Sequence, residues 1–249
     1  MSVTVVSCYY KIKSKRSHCN YDNYINKLFN NINSDVNFLL FTSKDLENYF
    51  LEKTNSLKNI KIIIKEFNDI PLFNQYKHIW NKQYEIDLLK NTGRGIECYV
   101  LWNSKLNFIK EAIEMNIFNS TKFIWMDIGM IRNNDFTISL QYFPKENNIS
   151  NEKINIVLLN EFTNLDQKYF QDEVHFSGAM YGGPVDAFEK LINLYYNKFD
   201  EYLINNKFIG CDQQIISSVY LENTNLFNPV KPIGYTDPWF YLINYYSQE

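Results

Sequence analysis

The sequence has few of the residues that build disulfide frameworks, metal sites and linkers. Its cysteines, Cys8, Cys19, Cys98 and Cys211, are scattered, with no C-x-x-C pair and no histidine at zinc-ligand spacing, so neither a disulfide framework nor a structural zinc site is predicted. Only 8 glycines and 6 prolines occur among 249 residues, and no interior stretch is rich enough in them to form an interdomain linker. We therefore expect one domain with reduced thiols.

The chain also lacks a long apolar run and an excess of positive charge. The N-terminal stretch MSVTVVSCYYKIKSK turns polar too early for a signal-peptide core, and no other run reaches membrane-spanning length. These features predict a soluble, cytoplasmic protein without a membrane span. The formal net charge of -3 provides no field to hold a phosphodiester backbone, so we expect no nucleic-acid partner.

Aromatic residues, by contrast, are abundant. The 19 Phe, 19 Tyr and 4 Trp make up 17% of the chain, which is more than a core of this size requires. The surplus favours a cleft in which a ligand stacks on aromatic rings.

Strand-like and helix-like segments alternate along the first half of the chain, which is typical of an α/β sheet with helices on its faces. Apolar runs predict strands in VTVVSCYY, VNFLLFTS, NIKIIIKEF and KFIWMDIG, and helical spacing predicts a helix in NYDNYINKLFNNI. A short helix is expected from Lys44 to about Lys53, and another, flanked by loops, between Asp69 and Gly95. YVLWNSKLNFIKEAIEMNIF is a longer predicted helix, with Trp102, Lys105, Ile109 and Ala112 on one face.

The second half continues the alternation. KINIVLLNEF and VHFSGAMYGG predict strands, whereas DAFEKLINLYYNKFDEYLIN and DQQIISSVYLENTNLF predict helices. The fold class predicted from both halves is therefore α/β.

One predicted strand, in FIWMDIGMIR at residues 123–132, ends on a single carboxylate, Asp127. Ligands of open α/β sheets bind beyond the carboxyl ends of the strands, so Asp127 is expected to face a ligand. Gly129 has no Cβ to obstruct a metal ion or a sugar. Asp127 could instead be a turn residue that bonds its own backbone.

A second polar group is predicted around GCDQQ, residues 210–214, where Asp212 and Gln213 open a helix. The preceding HFSGAMYGGP contains His175 and a run of small residues that would let a ligand approach the backbone: Ser177, Gly178, Gly182 and Gly183. The alternatives are that Asp212 is a first-turn acid favoured by the helix dipole and that His175 is a hydrogen-bonded strand residue.

Four motifs, TVVSCYYKIKSKRS, YVLWNSK, FIWMDIGMIR and DPWFYL, together resemble the HtrL/YibB family, glycosyltransferase-like proteins linked to surface polysaccharide synthesis. The resemblance implies a single-domain GT-A fold over residues 1–249, a Rossmann-like, mixed but mostly parallel sheet flanked by helices. A donor-binding half would span about 1–132 and an acceptor-binding half about 133–249. FSGAMYGG and DQQ are also similar to elements of glycogenin-like glycosyltransferases.

The resemblance further implies a glycosyltransferase of the hexosyltransferase type, acting in glycan biosynthesis. It would transfer a sugar from a nucleotide sugar, expected to be a UDP-sugar, to a glycan or protein hydroxyl. The departing diphosphate must be neutralised by a metal or by cationic side chains.

The implied catalytic residues are Asp127, Asp212 and Gln213. The implied donor-binding residues are Tyr10, Lys15, Trp102, Lys105, Asp127, Gly129 and Arg132. The implied substrate-binding residues are His175, Gly178, Gly182, Gly183 and Asp212.

The sequence departs from the family patterns at the expected metal site. Gly129 replaces the second acid of a D-x-D motif, and NPVKPIGYTDPWF contains no histidine, although Lys231 could supply a cation there. If a metal binds, Asp127 would hold it, and hard oxygen ligands favour Mn or Mg. The same departure disfavours a phosphotransferase with Asp127 as nucleophile, since the second acid is missing. The remaining alternative is a catalytically inactive module that binds nucleotide sugars or glycans.

Overall fold

The computed structural model describes residues 2–13, 18–234 and 237–248, and the strands of this part of the chain form one seven-stranded sheet. The strands are β1 (Val3–Tyr9), β2 (Asn37–Thr42), β3 (Asn59–Ile64), β4 (Lys122–Met126), β5 (Ile154–Leu158), β6 (Phe176–Pro184) and β7 (Phe227–Val230). Their order in the sheet is β3-β2-β1-β4-β6-β5-β7. Strand β6 is antiparallel to both of its neighbours, and the other pairings are parallel. The sheet is therefore mixed but mostly parallel, as predicted.

Helices connect these strands. They are α1 (His18–Asn31), α2 (Glu47–Lys53), α3 (Pro71–Gln75), α4 (Trp80–Ile86), α5 (Ile96–Met115), α6 (Thr137–Leu140), α7 (Val185–Ile204), α8 (Asp212–Glu222) and α9 (Leu242–Tyr245). Helix α5 ends at Met115 and is followed by Asn116, whose φ of 33° is left-handed, a conformation that asparagine tolerates better than most residues. Between Asp69 and Gly95, where one helix was predicted, the chain forms two short helices, α3 and α4. Within the described residues, no helix combines the length and the apolar composition needed to cross a membrane.

Successive strands are added to one side of β1 and then to its other side. The chain moves outward from β1 to β2 and β3, then returns to place β4 on the other side of β1. The connections that leave β1 and β4 therefore diverge, and a crevice opens at the carboxyl ends of these two strands. Because β6 is antiparallel to β4, its first residues lie at the same edge of the sheet.

Alternating side chains along the strands pack into separate cores on the two faces of the sheet. Val5 packs with α1 residues such as Leu28, whereas Val6 belongs to a core with Phe108 of α5 and Phe188 of α7. This alternation follows from the two-residue period of a strand. It fixes α5, α7 and α8 on one face, from which α5 and α8 reach the crevice.

Candidate functional site

A cavity of about 540 Å³ lies at the carboxyl ends of β1 and β4. Its wall includes Cys8 from β1, Asp127 just after β4, Gly178 from the start of β6, Lys105 from α5 and Asp212 from the beginning of α8. This is the edge of the sheet at which ligands bind in open α/β folds. The predicted groups around Asp127 and Asp212 are thus brought together at one cavity.

Lys105 lies between the two carboxylates. Its Nζ is 3.2 Å from Asp127 Oδ1 and 3.0 Å from Asp212 Oδ2, and it donates a 2.8 Å hydrogen bond to the Gly178 carbonyl. The side chains of Lys105 and Asp212 are each 6% exposed, whereas that of Asp127 is 37% exposed. Asp127 is therefore the carboxylate that faces the cavity most openly.

The position of Asp127 is fixed by strand geometry and two further hydrogen bonds. Trp125 is two residues earlier, so its side chain lies on the same face of the chain, and its indole Nε1 donates to Asp127 Oδ1 at 2.8 Å. The Asp127 backbone N–H donates to the Ala179 carbonyl of β6 at 2.8 Å. The carboxylate is thus held in place rather than bonded to its own turn.

Burial and charge act together on this cluster. Burial disfavours the charged form of Lys105, but the nearby Asp127 and Asp212 carboxylates outweigh it and raise the pKa of the ammonium above its usual range. Burial also raises the pKa of Asp212, against the opposing effect of Lys105. Lys105 is consequently charged at neutral pH, and Asp212 holds a proton more readily than an exposed aspartate.

Gly129 and Gly178 make room for side chains of the protein. A Cβ at Gly129 would lie 2.5 Å from Tyr21 Cε1, and one at Gly178 would lie 2.9 Å from Asp212 Oδ2. Both glycines line the cavity, but the space beside each is occupied by a neighbouring residue. A Cβ at Gly129 would thus meet Tyr21 first, and the role of Gly129 in admitting a metal or sugar stays a prediction.

Gln213 follows Asp212 in the first turn of α8 and also lines the cavity. Its Nε2 donates a 2.6 Å hydrogen bond to the Phe176 carbonyl at the start of β6. This bond ties α8 to β6 beside the carboxylate cluster. Asp212 is indeed a first-turn acid, and it also belongs to the Lys105 ion network.

Two arginines lie on aromatic rings of the cavity wall. The Arg94 guanidinium is 5.6 Å from the Trp102 ring centre, and that of Arg132 is 4.7 Å from the Phe240 ring centre. Arg94 Nη1 is also 3.8 Å from Asp87 Oδ1, a long separation for an ion pair. Arg132 and Trp102 were predicted as donor-binding residues, whereas Arg94 was not.

Other predicted residues lie elsewhere or pack differently. Tyr10 lines the cavity, yet it is 4% exposed, packs against Phe67 and Phe108, and donates to the Lys65 carbonyl. It is thus largely a core residue, and little of its ring is left for a nucleobase. Lys15 lies outside the described residues.

His175, Gly182 and Gly183 do not line this cavity. The His175 ring stacks on Phe162, and its nitrogens lie 3.0 Å from the Asn160 carbonyl and 3.2 Å from Glu173 Oε2. The two glycines lie within β6, where a Cβ would approach Tyr246 or Ile154. Substrate contact by these three residues stays a prediction, which their packed protein surroundings do not favour.

Lys231, considered as a substitute cation, also lies outside the cavity wall. Its Nζ is 2.5 Å from Glu161 Oε1, and both side chains are largely exposed. This geometry is a surface ion pair.

Arg94, Trp125 and Trp239 are among the cavity residues that sequence reasoning missed. Trp125 could have been found, since a strand places residues 125 and 127 on the same face. Arg94 lies in a segment whose helical pattern is weak. Trp239 belongs to the quoted DPWFYL motif, but nothing in that motif indicates which part of the sheet it contacts.

The residues at Asp127 do not fit a divalent ion. The Lys105 ammonium lies between the two carboxylates, where such an ion would bind, and the second acid of a D-x-D pair is Gly129. Among the described residues, no group of three or more His, Cys, Asp or Glu side chains could hold a metal. A manganese or magnesium ion at Asp127 stays a prediction that this set of side chains does not favour.

The fold is similar to that of a solved glycosyltransferase. Mouse xyloside xylosyltransferase 1, in its apo form, superimposes with a TM-score of 0.50 at 10% sequence identity, over 91% of this chain and 84% of that chain. At this identity the likeness concerns the fold alone, and it confirms the predicted GT-A class.

Two comparisons concern the sequence. No curated protein matches this chain. The family model HtrL_YibB, described as a bacterial protein of unknown function, matches residues 1–247. The chain therefore belongs to the HtrL_YibB family, as its four motifs predicted.

Proposed function

We propose that this protein is a glycosyltransferase that transfers a sugar from a nucleotide sugar to a hydroxyl of a glycan or protein. The observation that carries the proposal is the Asp127–Lys105–Asp212 cluster, which lines a cavity at the switch point of a glycosyltransferase-like sheet. The choice of a UDP-sugar, and of a hexose, rests on the family resemblance. The donor half at about 1–132 and the acceptor half at about 133–249 belong to the same proposal.

The cavity wall offers contacts suited to each part of such a donor. The half-buried Trp102 provides a ring on which a nucleobase can stack. Arg94 and Arg132 provide planar guanidinium groups, which form paired, charge-assisted hydrogen bonds with phosphate oxygens and so suit the diphosphate. The open carboxylate of Asp127 can accept hydrogen bonds from hydroxyls of the ribose or the transferred sugar.

The reaction requires that the bond between the anomeric carbon and the diphosphate oxygen breaks while a bond to the acceptor oxygen forms. The diphosphate leaves with the electron pair, so Arg94 and Arg132 would stabilise its developing charge. The acceptor hydroxyl must also lose its proton. Asp212, which lines the cavity with Asp127, would accept this proton, a role that its raised pKa suits, and Gln213 would border the reacting sugar.

The first test is thermal stabilisation of the purified protein by UDP-, GDP-, CMP- and TDP-sugars, with UDP-xylose and UDP-glucose among them. One nucleotide class should raise the melting temperature, because a ligand that binds only the folded state stabilises it. The Asp127→Ala variant should lose that shift. Glu189→Ala, which removes an exposed acid of α7 that does not line the cavity, should keep it.

The alternative is an inactive nucleotide-sugar or glycan-binding module, which the absence of a second acid at Gly129 favours. Slow hydrolysis of the bound donor separates the two functions. The assay measures the nucleoside diphosphate that is released. An enzyme should hydrolyse the donor and lose this activity on Asp212→Asn, whereas a binding module should show a thermal shift without hydrolysis. A folded protein that no donor stabilises would contradict both the enzyme and the nucleotide-sugar-binding module, and would leave only a glycan-binding module.

A further inference from the structure

The ammonium of Lys105 is surrounded by acceptor oxygens of the protein. A lysine has three donors, and Nζ is within reach of three acceptors: the Gly178 carbonyl, Asp127 and Asp212. The lysine side chain is almost completely buried. A group placed in this way joins two carboxylates from different parts of the fold, which is what a bridging metal ion does in other carboxylate sites.

The packing around residue 129 also disfavours a conventional metal site with two acids in a D-x-D pattern. A side chain at position 129 would collide with the Tyr21 ring, because its Cβ alone would lie 2.5 Å from Cε1. A divalent ion between Asp127 and Asp212 would have to displace the Lys105 ammonium or lie against it. Like charges at that distance repel strongly where water is excluded.

We propose that Lys105 takes the place of the divalent ion, so that the donor site operates without a metal. The proposal rests on the proposed function for the identity of the ligand. Lys105 is a positioning residue in this scheme, since it orients Asp127 and Asp212 through its three contacts. The leaving diphosphate is then neutralised by Arg94 and Arg132 from the cavity wall rather than by a bound ion.

Manganese binding tests the proposal without any nucleotide. Electron paramagnetic resonance measures how much Mn²⁺ remains free when it is titrated with the purified protein. The wild-type protein should leave the Mn²⁺ signal unchanged, whereas Lys105→Ala should lower it, with a dissociation constant at least about tenfold below the highest protein concentration at which the wild type shows no binding. The alanine removes the positive charge and opens space between two carboxylates, which are favourable ligands for this ion.

Two controls define where the gained ion binds. Lys105→Ala combined with Asp212→Asn should lose the gained affinity, because one ligand is missing. Lys105→Met removes the charge but keeps the space filled, so it should gain less affinity than the alanine variant. Far-ultraviolet circular dichroism would show that each variant is folded.

Wild-type protein and the conservative Asp127→Asn variant provide a result that does not depend on the folding of the Lys105 variants. Mn²⁺ binding by the wild type that Asp127→Asn abolishes would overturn the proposal. The donor arm compares the melting-temperature shift from the stabilising nucleotide sugar in EDTA and in Mn²⁺. Equal shifts are expected, and a shift that disappears in EDTA would also overturn it. If no nucleotide sugar stabilises the protein, the proposed function fails, while the manganese titration still decides whether Lys105 excludes the ion.

Discussion

At the scale of single residues, Gly178 determines how closely the beginning of α8 approaches β6. Its missing Cβ leaves room for Asp212, whose Oδ2 would lie 2.9 Å from that atom, and for Gln213, whose Cγ would lie 3.0 Å from it. The Gly178 carbonyl also accepts the Lys105 hydrogen bond. One residue thus affects both carboxylate spacing and the position of the ammonium.

We predict that Gly178→Ala weakens donor binding and lowers turnover by about tenfold or more, since small displacements of reacting groups are costly. The added methyl group must push Asp212 and Gln213 away from β6. Donor-induced thermal shifts and donor hydrolysis measure the effect. Gly95→Ala is the matched control, because a Cβ there meets atoms only at 3.6 Å and beyond. Equal activity of the two variants would contradict this account.

The candidate acids could be predicted at this scale, but their partner could not. Asp127 ends an apolar strand and Asp212 begins a helix, and both positions are visible in the sequence. Lys105 was predicted to contact the diphosphate, because the sequence alone does not show that its positive charge is paired with carboxylates. Its pairing with both acids depends on how α5 packs across the sheet. The local sequence does not determine that packing.

At the scale of elements, α5 is anchored by a buried asparagine. The Asn103 amide donates to the Tyr99 and Ile209 carbonyls, and its Oδ1 accepts a 2.6 Å hydrogen bond from the Tyr195 hydroxyl of α7. Asn103 lies two residues before Lys105, and Ile209 lies just before α8. The asparagine therefore joins α5, α7 and the segment that leads into Asp212.

We predict that Asn103→Ala lowers the free energy of unfolding by about 2 kcal/mol or more, because it leaves buried polar groups without partners. Urea denaturation measures this change. Asn205→Ala serves as the control, since this exposed asparagine donates to the Glu201 carbonyl at the end of α7. Its effect should be within about 0.5 kcal/mol. Similar losses in both variants would show that the Asn103 contacts contribute little.

Elements with strong periodicity were predictable, and those without it were not. The buried strands β1, β2 and β4 are apolar runs, and α7 repeats apolar residues at helical spacing. The segment between Asp69 and Gly95 mixes polar and aromatic residues and forms two short helices. Tertiary contacts such as Trp80 Nε1 with the Leu72 carbonyl hold that segment, and they leave no periodic pattern.

At the scale of the whole molecule, the ion network connects the two halves of the chain. Lys105 and Asp127 come from before residue 133, whereas Gly178 and Asp212 come from after it. Their contacts cross from α5 to β6 and α8. Loss of the Lys105 charge should therefore affect global stability as well as the site.

We predict that the contribution of Lys105 to stability is lost at alkaline pH. Its pKa in the folded protein is raised by Asp127 and Asp212 in spite of burial, whereas in the unfolded chain it is about 10.4. Below that pH both states hold the proton and the contribution is complete. Above it the unfolded chain releases the proton first, so stability falls as pH rises.

Thermal denaturation of wild type and Lys105→Met between about pH 8 and 11 tests this prediction. The difference in melting temperature should be constant up to about pH 10 and then shrink. Tyrosine ionisation affects both proteins equally and cancels in the difference. A difference that does not change with pH would show that the network does not control the charge of Lys105.

The overall fold class was predictable because alternating strands and helices restrict the possible architectures to a few. The placement of β6 antiparallel between β4 and β5 was not, since FSGAMYGG is a strand-like run whose direction in the sheet leaves no mark on composition. That direction brings Gly178 beside Asp127. The most specific part of the site therefore follows from topology.

The distribution of tryptophan in the molecule has a practical consequence. Trp102, Trp125 and Trp239 line the cavity, whereas Trp80 is buried elsewhere. The emission of an indole depends on the polarity and hydrogen bonding around it, and Trp125 donates directly to Asp127. The protein thus carries its own fluorescent reporter of occupancy, which can follow ligand entry in real time without a label.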